Sequence, residues 1–473
     1  MKKSRYDLTQ GSILRHLLFL TLPLIASHTL QDAFNFVDMV FVGRLGTGAL
    51  AAVAVSGNLL RLISVLGLGI STGTVIMVSQ FMGAKQRAEG ENIAMQALIL
   101  AVVCALGIAC VGYPLAELGL KFLGRDAEIV ALGTPYLRVM LLGGVVMFLS
   151  MALGSIFRGA GDTITPMNIL ILSTVFNIVL DALLIFGYWK IPAFGVVGSA
   201  YATIIGRGIG VVIMLYLCFS GRGPISLKHV DRRINLAVMK KILTLGIFSS
   251  MQGFLRHISR VGFISVVAFY GKNVVAAYGI CMRLRIFVMN PGFGVANAVA
   301  PMVGQNLGAD QVDRAERSVR IGNALAIAVM SLIGALFLFF PQWFVGWFID
   351  QKFPDMLHPR LGERLMEWFV HNPSVLGIGG VYLRFLALTF GFIAASLVLG
   401  RAMNGAGDTV SPMVITGIAQ IGIGLILVVV LSRWIGIVGI WLGIALANVA
   451  QGFMMWLWYR RGAWKSKRLV SEA

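Results

Sequence analysis

Charge is scarce in this sequence: Asp, Glu, Lys and Arg make up only 12% of 473 residues, about half of what soluble domains carry. A water-soluble globular fold is thereby excluded. Long polar stretches are equally scarce, because apolar runs of the roughly 20 residues that a helix needs to cross a bilayer recur along nearly the whole chain. No length is left for a sizeable soluble domain. Acids are rarer than bases, 20 against 39, for a net charge of +19. In a soluble protein that excess would point to nucleic acid, but here the Lys and Arg residues sit in short connections between apolar runs and report topology; no nucleic-acid partner is expected. Only four cysteines occur, Cys104, Cys110, Cys218 and Cys281. All lie inside apolar runs without metal-ligand spacing, which argues against a disulfide framework or a thiolate metal site and reads as packing. A cleavable leader is not expected, since residues 1–12 are polar and basic and the apolar run after them continues far past a signal-peptide core. That run reads as a retained helix.

What is present is helix. Apolar runs between Gly, Pro and charge punctuation give twelve spans, near 13–42, 50–80, 93–113, 134–157, 166–188, 194–218, 238–270, 275–303, 319–349, 376–402, 411–432 and 437–459. With the amino terminus inside, the basic residues concentrate in cytoplasmic connections, the sense the positive-inside rule requires. The strongest contributors are 222–241 (Arg222, Lys228, Arg232, Arg233, Lys240, Lys241) and the tail (Arg460, Arg461, Lys465, Lys467, Arg468). Both termini are then cytoplasmic, and these clusters also suit anionic lipid headgroups.

Two echoes organise the chain. "RGAGDTITPM" at 158–167 returns as "NGAGDTVSPM" at 404–413, and "QFMGAKQ" at 80–86 returns as "QNLGADQ" at 305–311. The separations, 246 and 225 residues, call for an insertion of about 20 residues in the second half. The polar stretch near 350–374 fits, and its mixture of charges with Met366, Trp368 and Phe369 predicts an interfacial placement. An even number of spans per half keeps both copies in one orientation, which predicts two six-helix lobes related by a pseudo-twofold axis along the membrane normal. The expected organisation of this all-α integral membrane protein is an amino lobe at 1–219, a basic cytoplasmic linker at 220–237 and a carboxy lobe at 238–473. The repeated Asp-Thr before Pro166 and Pro412 reads as helix capping, since Asp or Thr caps a helix whose first turn holds Pro.

An ionisable group inside a span costs about 2.5–3.5 kcal/mol on insertion scales, so each one calls for a reason. The first span carries Gln31, Asp32, Asn35 and Asp38. At 100° per residue Asp32, Asn35 and Asp38 spread over about 120°, a polar stripe expected to face the lobe interior. Pro23 upstream removes a backbone donor and can kink this helix. The fifth span holds Asn177 and Asp181 one turn apart, and distances to the outer basic residues put Asp181 level with Asp38. Two acids meeting in an apolar lobe need a proton or a cation between them. Oxygens from Asn177 and from Ser199 or Thr203 would equally hold a small hard cation, so sodium at Asp38, Asn177 and Asp181 stands beside a proton; no other metal site is expected. A satisfied hydrogen-bond network without transport is the alternative. The matching spans of the second half carry Arg256, His257 and Arg260 and no acid, which confines ion coupling to the amino lobe. Arg283 and Arg285 either line a central cavity or pair with loop acids. The 56 glycines and 22 methionines fit close helix packing and an adaptable pocket.

With Pro23, Asp38 and the "GAGDT" repeat in place, the chain resembles the multidrug and toxic compound extrusion family over essentially its full length. "LPL" and "VDMVFVGRLG" in the first span, "QFMGAKQ", "QNLGADQ" and "FNIVLDALLIFG" together carry the likeness. Similarity to its DinF-like branch implies alternating access between two six-helix bundles and antiport of cationic or amphipathic small molecules against protons or sodium. It further implies a monomer in the bacterial cytoplasmic (inner) membrane, without cofactor or catalytic residue. By the same likeness Asp38, Asn177 and Asp181 form the coupling cluster, with Ser199 where a threonine is often found, Pro23 is the hinge, and Gln31 lines the cavity; Asp32, Asn35 and Arg283 are further cavity candidates. The acid that some relatives carry in the seventh helix is missing, against a carboxy-lobe cation site. Three other functions compete. A lipid-linked saccharide flippase of related fold would favour an arginine-lined cavity and usually two further helices. An intramembrane hydrolase would use Ser71 in "GISTG", but that pattern needs a strand-to-helix turn and here falls inside a long helix. A channel would place acids in a ring, not in one lobe.

Overall fold

The computed structural model describes residues 7–123, 126–188, 192–348 and 374–470, so most of the insertion near 350–374 lies outside the described residues. The helices are α1 (Ile13–Gly43), α2 (Thr47–Gly83), α3 (Arg87–Leu123), α4 (Ala127–Leu142), α5 (Gly144–Gly159), α6 (Ile164–Phe186), α7 (Val196–Phe219), α8 (Leu236–Ala268), α9 (Lys272–Gly308), α10 (Val312–Phe339), the short α11 (Pro341–Gly346), α12 (Val375–Ala406), α13 (Val410–Ile435) and α14 (Ile437–Arg460). Ten of them are long and apolar enough to cross a bilayer, and α4 with α5 makes one more span bent by 47°. The bend falls at Gly143, where a Cβ would collide with the Ile204 side chain of α7. The twelfth rod is α8, 33 residues long and kept off that tally by the polar residues it carries, Gln252, Arg256, His257 and Arg260 among them. Twelve rods are thus present among the described residues. Several run to 37 residues, about 55 Å at 1.5 Å per residue, so their charged ends clear the hydrocarbon.

Two packed bodies account for most of the buried apolar surface. One gathers α2, α3, α5 and α7 around Ile76, Leu98, Phe157 and Met214; the other gathers α9, α10, α12 and α14 around Val299, Met330, Phe390 and Trp441. The first helix of each half crosses between them. Ile13, Leu17, Leu20 and Leu24 of α1 pack in the carboxy body, whereas Val42 at its far end packs with Ala49 and Ile185 of the amino half. Likewise Met239, Ile242 and Leu245 of α8 belong to the amino body and Phe263 and Val267 to the carboxy body. Packing therefore does not divide where the chain does, between 219 and 238. The linker lies on the amino half: Ile225 and Leu227 are buried, Asn235 caps α8, and its N–H donates to Gln96 Oε1 at 3.0 Å.

The echoed motifs are equivalent in three dimensions. Lys85 and Asp310, at matching places in "QFMGAKQ" and "QNLGADQ", are the only described non-glycine residues with positive φ, 61° and 63°. Asp162 accepts the Thr165 N–H at 3.0 Å and its hydroxyl at 2.6 Å; Asp408 accepts the Ser411 N–H at 3.3 Å and its hydroxyl at 2.7 Å. Aspartate supplies both caps. At the end of the bundle where Leu8 and Leu469 lie the halves touch closely. Gln80 Nε2 donates to the Gly405 carbonyl and Gln305 Nε2 to that of Gly159, each at 3.1 Å. A Cβ on Gly83 would overlap the Gln305 carbonyl and one on Gly308 the Gln80 carbonyl. The chain ends complete the seal, since Leu8 N donates to Gln305 Oε1 at 3.1 Å and Leu469 N to Gln80 Oε1 at 2.9 Å.

Candidate functional site

In the amino half α6 and α7 lie face to face along glycines. A Cβ on Gly206 would sit 3.0 Å from Asn177 Cβ and from the Ser173 carbonyl, and one on Gly198 would overlap the Leu184 carbonyl. Small residues permit this approach in lipid, and it brings Asn177 and Asp181 of α6 against Ser199 and Thr203 of α7. Asp38 of α1 closes the cluster: Ser199 Oγ donates to Asp38 Oδ1 at 2.6 Å. Asn177 Nδ2 reaches Thr203 Oγ1 at a long 3.5 Å. Asp181 is fully buried and lies within electrostatic reach of Asp38. Three oxygens, Asn177 Oδ1 and both carboxylate oxygens of Asp181, are buried without a hydrogen-bond donor. A buried unpaired acceptor is costly, and three together ask for a proton or a cation.

Two members of this cluster were not found by sequence reasoning. Tyr136 of α4, 6% exposed, interacts with both acids, and Arg207 of α7 with Asp38 and Tyr136. Arg207 sits in "GRGIG", a run whose glycines read as packing; its signal was a lone arginine two turns past Ser199. Two carboxylates against one guanidinium leave one negative charge, which one monovalent cation or one proton neutralises.

The stripe predicted along α1 does not face one way. A spread of 120° is enough to divide it: Asp38 turns into the amino half, while Asp32 is exposed and accepts a 2.9 Å bond from Asn290 Nδ2 of α9, in the other half. Asn35 is exposed and paired with Gln31 Nε2 at 3.3 Å. Arg283 stands seven residues before Asn290, and Asn297, which contacts His28 at 3.4 Å, seven after it. A seven-residue step returns to the same helix face, so exposed Arg283 shares the side of α9 that meets α1. Pro23 lies within the stretch of α1 held by the carboxy body, next to Leu24, and fifteen residues before Asp38. Its carbonyl accepts the Ser27 hydroxyl at 2.7 Å.

Gln31, with His28, Ser71, Arg158 and Arg207, lines a cavity of about 270 Å³ in the amino half. A narrower pocket lined by Gln31, Ser173, Asn177, Thr203 and Arg207 adjoins it, so Asn177 and Thr203 of the cluster border this space. Ser71 lies within α2 and accepts from Arg158 Nη2 at 3.1 Å, a helical site without the turn a serine nucleophile requires. Of the cysteines, Cys218 and Cys281 are buried and Cys110 is exposed. Among the described residues no group of three His, Cys, Asp or Glu side chains could hold a metal. The carboxy half has its own small cavity, of about 50 Å³, lined by Arg256, Arg260 and Arg285 with Gln420, Asn448 and Gln451 and no acid. Gln420 reaches it from a π-helical stretch of α13, Ile418–Leu425.

Twelve long apolar rods, a repeat that relates two halves, and polar clusters sealed at one end of the bundle define a multi-span membrane transporter of small molecules. The comparisons name its family. The MatE family model matches residues 23–183, 249–353 and 361–430, and the chain belongs to that family. It is similar to a protein named probable multidrug resistance protein YpnP of Bacillus subtilis, 27% identical over 99% of each chain. A second relative, the probable multidrug resistance protein NorM of Thermotoga maritima, is 24% identical over 97% of this chain and 95% of its own. Among solved structures, one titled crystal structure of MATE in the bent conformation superposes with a TM-score of 0.87 over the whole of both chains, at 23% identity.

Proposed function

We propose that this transporter exports amphipathic small molecules by antiport, and that one proton or one sodium ion held among Asp38, Asn177, Asp181 and Ser199 drives the cycle. The observation that carries the reading is the set of three donorless acceptor oxygens beside the Ser199-bound Asp38 carboxylate. With Arg207 adjacent, that set is one positive charge short. Its pocket shares Gln31, Ser173 and Arg207 with the larger amino-half cavity, so ion and cargo compete for neighbouring space and α1 senses both. Pro23 then serves as the hinge: bending there moves the segment bearing Asp38 relative to Ile13, Leu17 and Leu20, which the carboxy body holds, and breaks the Asp32–Asn290 and His28–Asn297 contacts beyond it. Gln31, Asp32, Asn35 and Arg283 are the cargo contacts along the α1–α9 side. The protein works as a monomer in a bacterial inner membrane with both termini cytoplasmic, and the sealed end is then the cytoplasmic one.

Efflux of a fluorescent organic cation and of a fluorescent organic anion from proteoliposomes, under a proton gradient or a sodium gradient in turn, tests the proposal. Export under one gradient is expected, and loss of it in both Asp38→Asn and Asp181→Asn; retention of full gradient-driven export in both variants overturns the coupling assignment. Pro23→Ala is expected to slow transport at least tenfold while leaving ion binding by the purified protein unchanged.

A further inference from the structure

We infer that the carboxy-half cavity is an oxyanion site, which takes the phosphate, carboxylate or sulfonate head of an amphipathic molecule whose apolar body lies against the cavity wall. The inference deepens the export reading by naming the charge of a cargo class, and rests on it only for the assignment of the bound molecule as cargo.

Charge comes first. Arg256 and Arg260 stand one turn apart on α8, Arg285 faces them from α9, and Arg401 of α12 lies within electrostatic reach of Arg256. Arg256, Arg260 and Arg285 line the cavity. None of the four guanidinium groups joins an ion pair among the described residues, and no acid lines the cavity. Arginine in mid-span is expensive even singly, and a cluster without counter-charge is worse. Water could satisfy the N–H groups but would leave the charge in place; an anion does both.

The second observation concerns hydrogen bonds. Gln420 Nε2 donates to Asn448 Oδ1 at 3.3 Å and to Gln451 Oε1 at 2.7 Å. Gln451 Nε2 donates in turn to Thr416 Oγ1 at 3.0 Å. This relay uses the carbonyl of Asn448 and leaves its amide Nδ2 buried without an acceptor, in a side chain only 4% exposed. Arg285 Nε is buried and unpaired as well. Both orphans in this cavity are donors, so the missing partner is an acceptor. Phe263, Tyr278, Met289 and Phe293 complete the lining and offer apolar surface to the body behind the head, the usual composition of a small-molecule site.

The test is binding to the detergent-purified full chain without any gradient, read by calorimetry. The probes are 1-naphthyl phosphate and the equally sized cation 1-naphthylmethylammonium. The phosphate ester is expected to bind at least tenfold more tightly than the cation. Arg285→Gln and Arg256→Gln should each weaken it at least tenfold, Asn448→Asp should abolish binding, and Arg285→Lys, which keeps the charge, should retain part of it. Phosphatidylglycerol added to the micelles separates the sources: displacement of the probe at a lower concentration than inorganic phosphate assigns the head to a lipid, and the reverse assigns it to a soluble molecule. Equal affinity for the two naphthyl probes, or wild-type affinity in all three charge-altering variants with unchanged melting temperature, overturns the inference. Because no gradient is imposed, that failure would leave ion-driven export standing, and failure of the Asp38 and Asp181 test would leave anion binding standing.

Discussion

Asp38 and Asp181 are chemically unlike although both belong to the proposed ion cluster. Asp38 is held by the Ser199 hydroxyl at 2.6 Å and has Arg207 nearby, whereas Asp181 is fully buried with neither carboxylate oxygen hydrogen-bonded. Hydrogen bonds to charged groups are worth about 1.5–3 kcal/mol, so Ser199→Ala is expected to change the half-saturating ion concentration by roughly tenfold or more, with maximal export nearly unchanged. Transport measured against ion concentration checks this, and an unaltered midpoint would remove Ser199 from the site. Arg207 supplies a sharper test. If one guanidinium balances one of two carboxylates, Arg207→Gln leaves two negative charges to neutralise, and the Hill coefficient for the driving ion should rise from 1 toward 2. An unchanged coefficient would show that Arg207 plays no part in the charge balance.

At the scale of elements, the spans were legible because apolar length is written directly in the sequence. Partnership was not. Nothing in the periodicity of α1 says that Leu17 and Leu20 pack with the carboxy half while Val42 packs with the amino half, and the 120° spread that read as one stripe in fact serves two neighbours, Ser199 for Asp38 and Asn290 for Asp32. Arg207 was passed over because its flanking glycines explained the segment without it. Those glycines are testable: a Cβ on Gly206 would already sit only 3.0 Å from Asn177 Cβ, so a larger side chain must push α7 from α6 and pull Asn177 from Thr203. Overpacking of this kind costs about 1–3 kcal/mol. Gly206→Val is expected to lower the melting temperature by several degrees and to abolish ion-dependent export, while Gly208→Val, where a Cβ would meet nothing within 4 Å, should do neither.

Taken as one molecule, the chain runs a single architecture twice with opposite polarity. The amino-half cluster at Asn177 and Asp181 buries acceptors without donors and the carboxy-half cavity at Arg285 and Asn448 buries donors without acceptors, so a cation in one and an anion in the other would offset part of the charge each site buries. The halves meet through the swapped pair Gln80 and Gln305, each donating across the interface and each receiving a chain end, Leu469 and Leu8. Alternating access between two rigid bodies requires that this seal break as the opposite end closes. Gln305→Leu removes two of its bonds, each worth about 0.5–1.5 kcal/mol, and should shift the population of sealed molecules several-fold or more. Leu8→Cys reports it, because Leu8 is 1% exposed in the sealed arrangement; with Cys104 and Cys110 replaced by Ala, the remaining native thiols, Cys218 and Cys281, are buried. Maleimide labelling at position 8 is expected to be slow with Gln305 present and several-fold faster in Gln305→Leu. Equal labelling rates in the two backgrounds would mean that the glutamine pair does not hold the bundle shut.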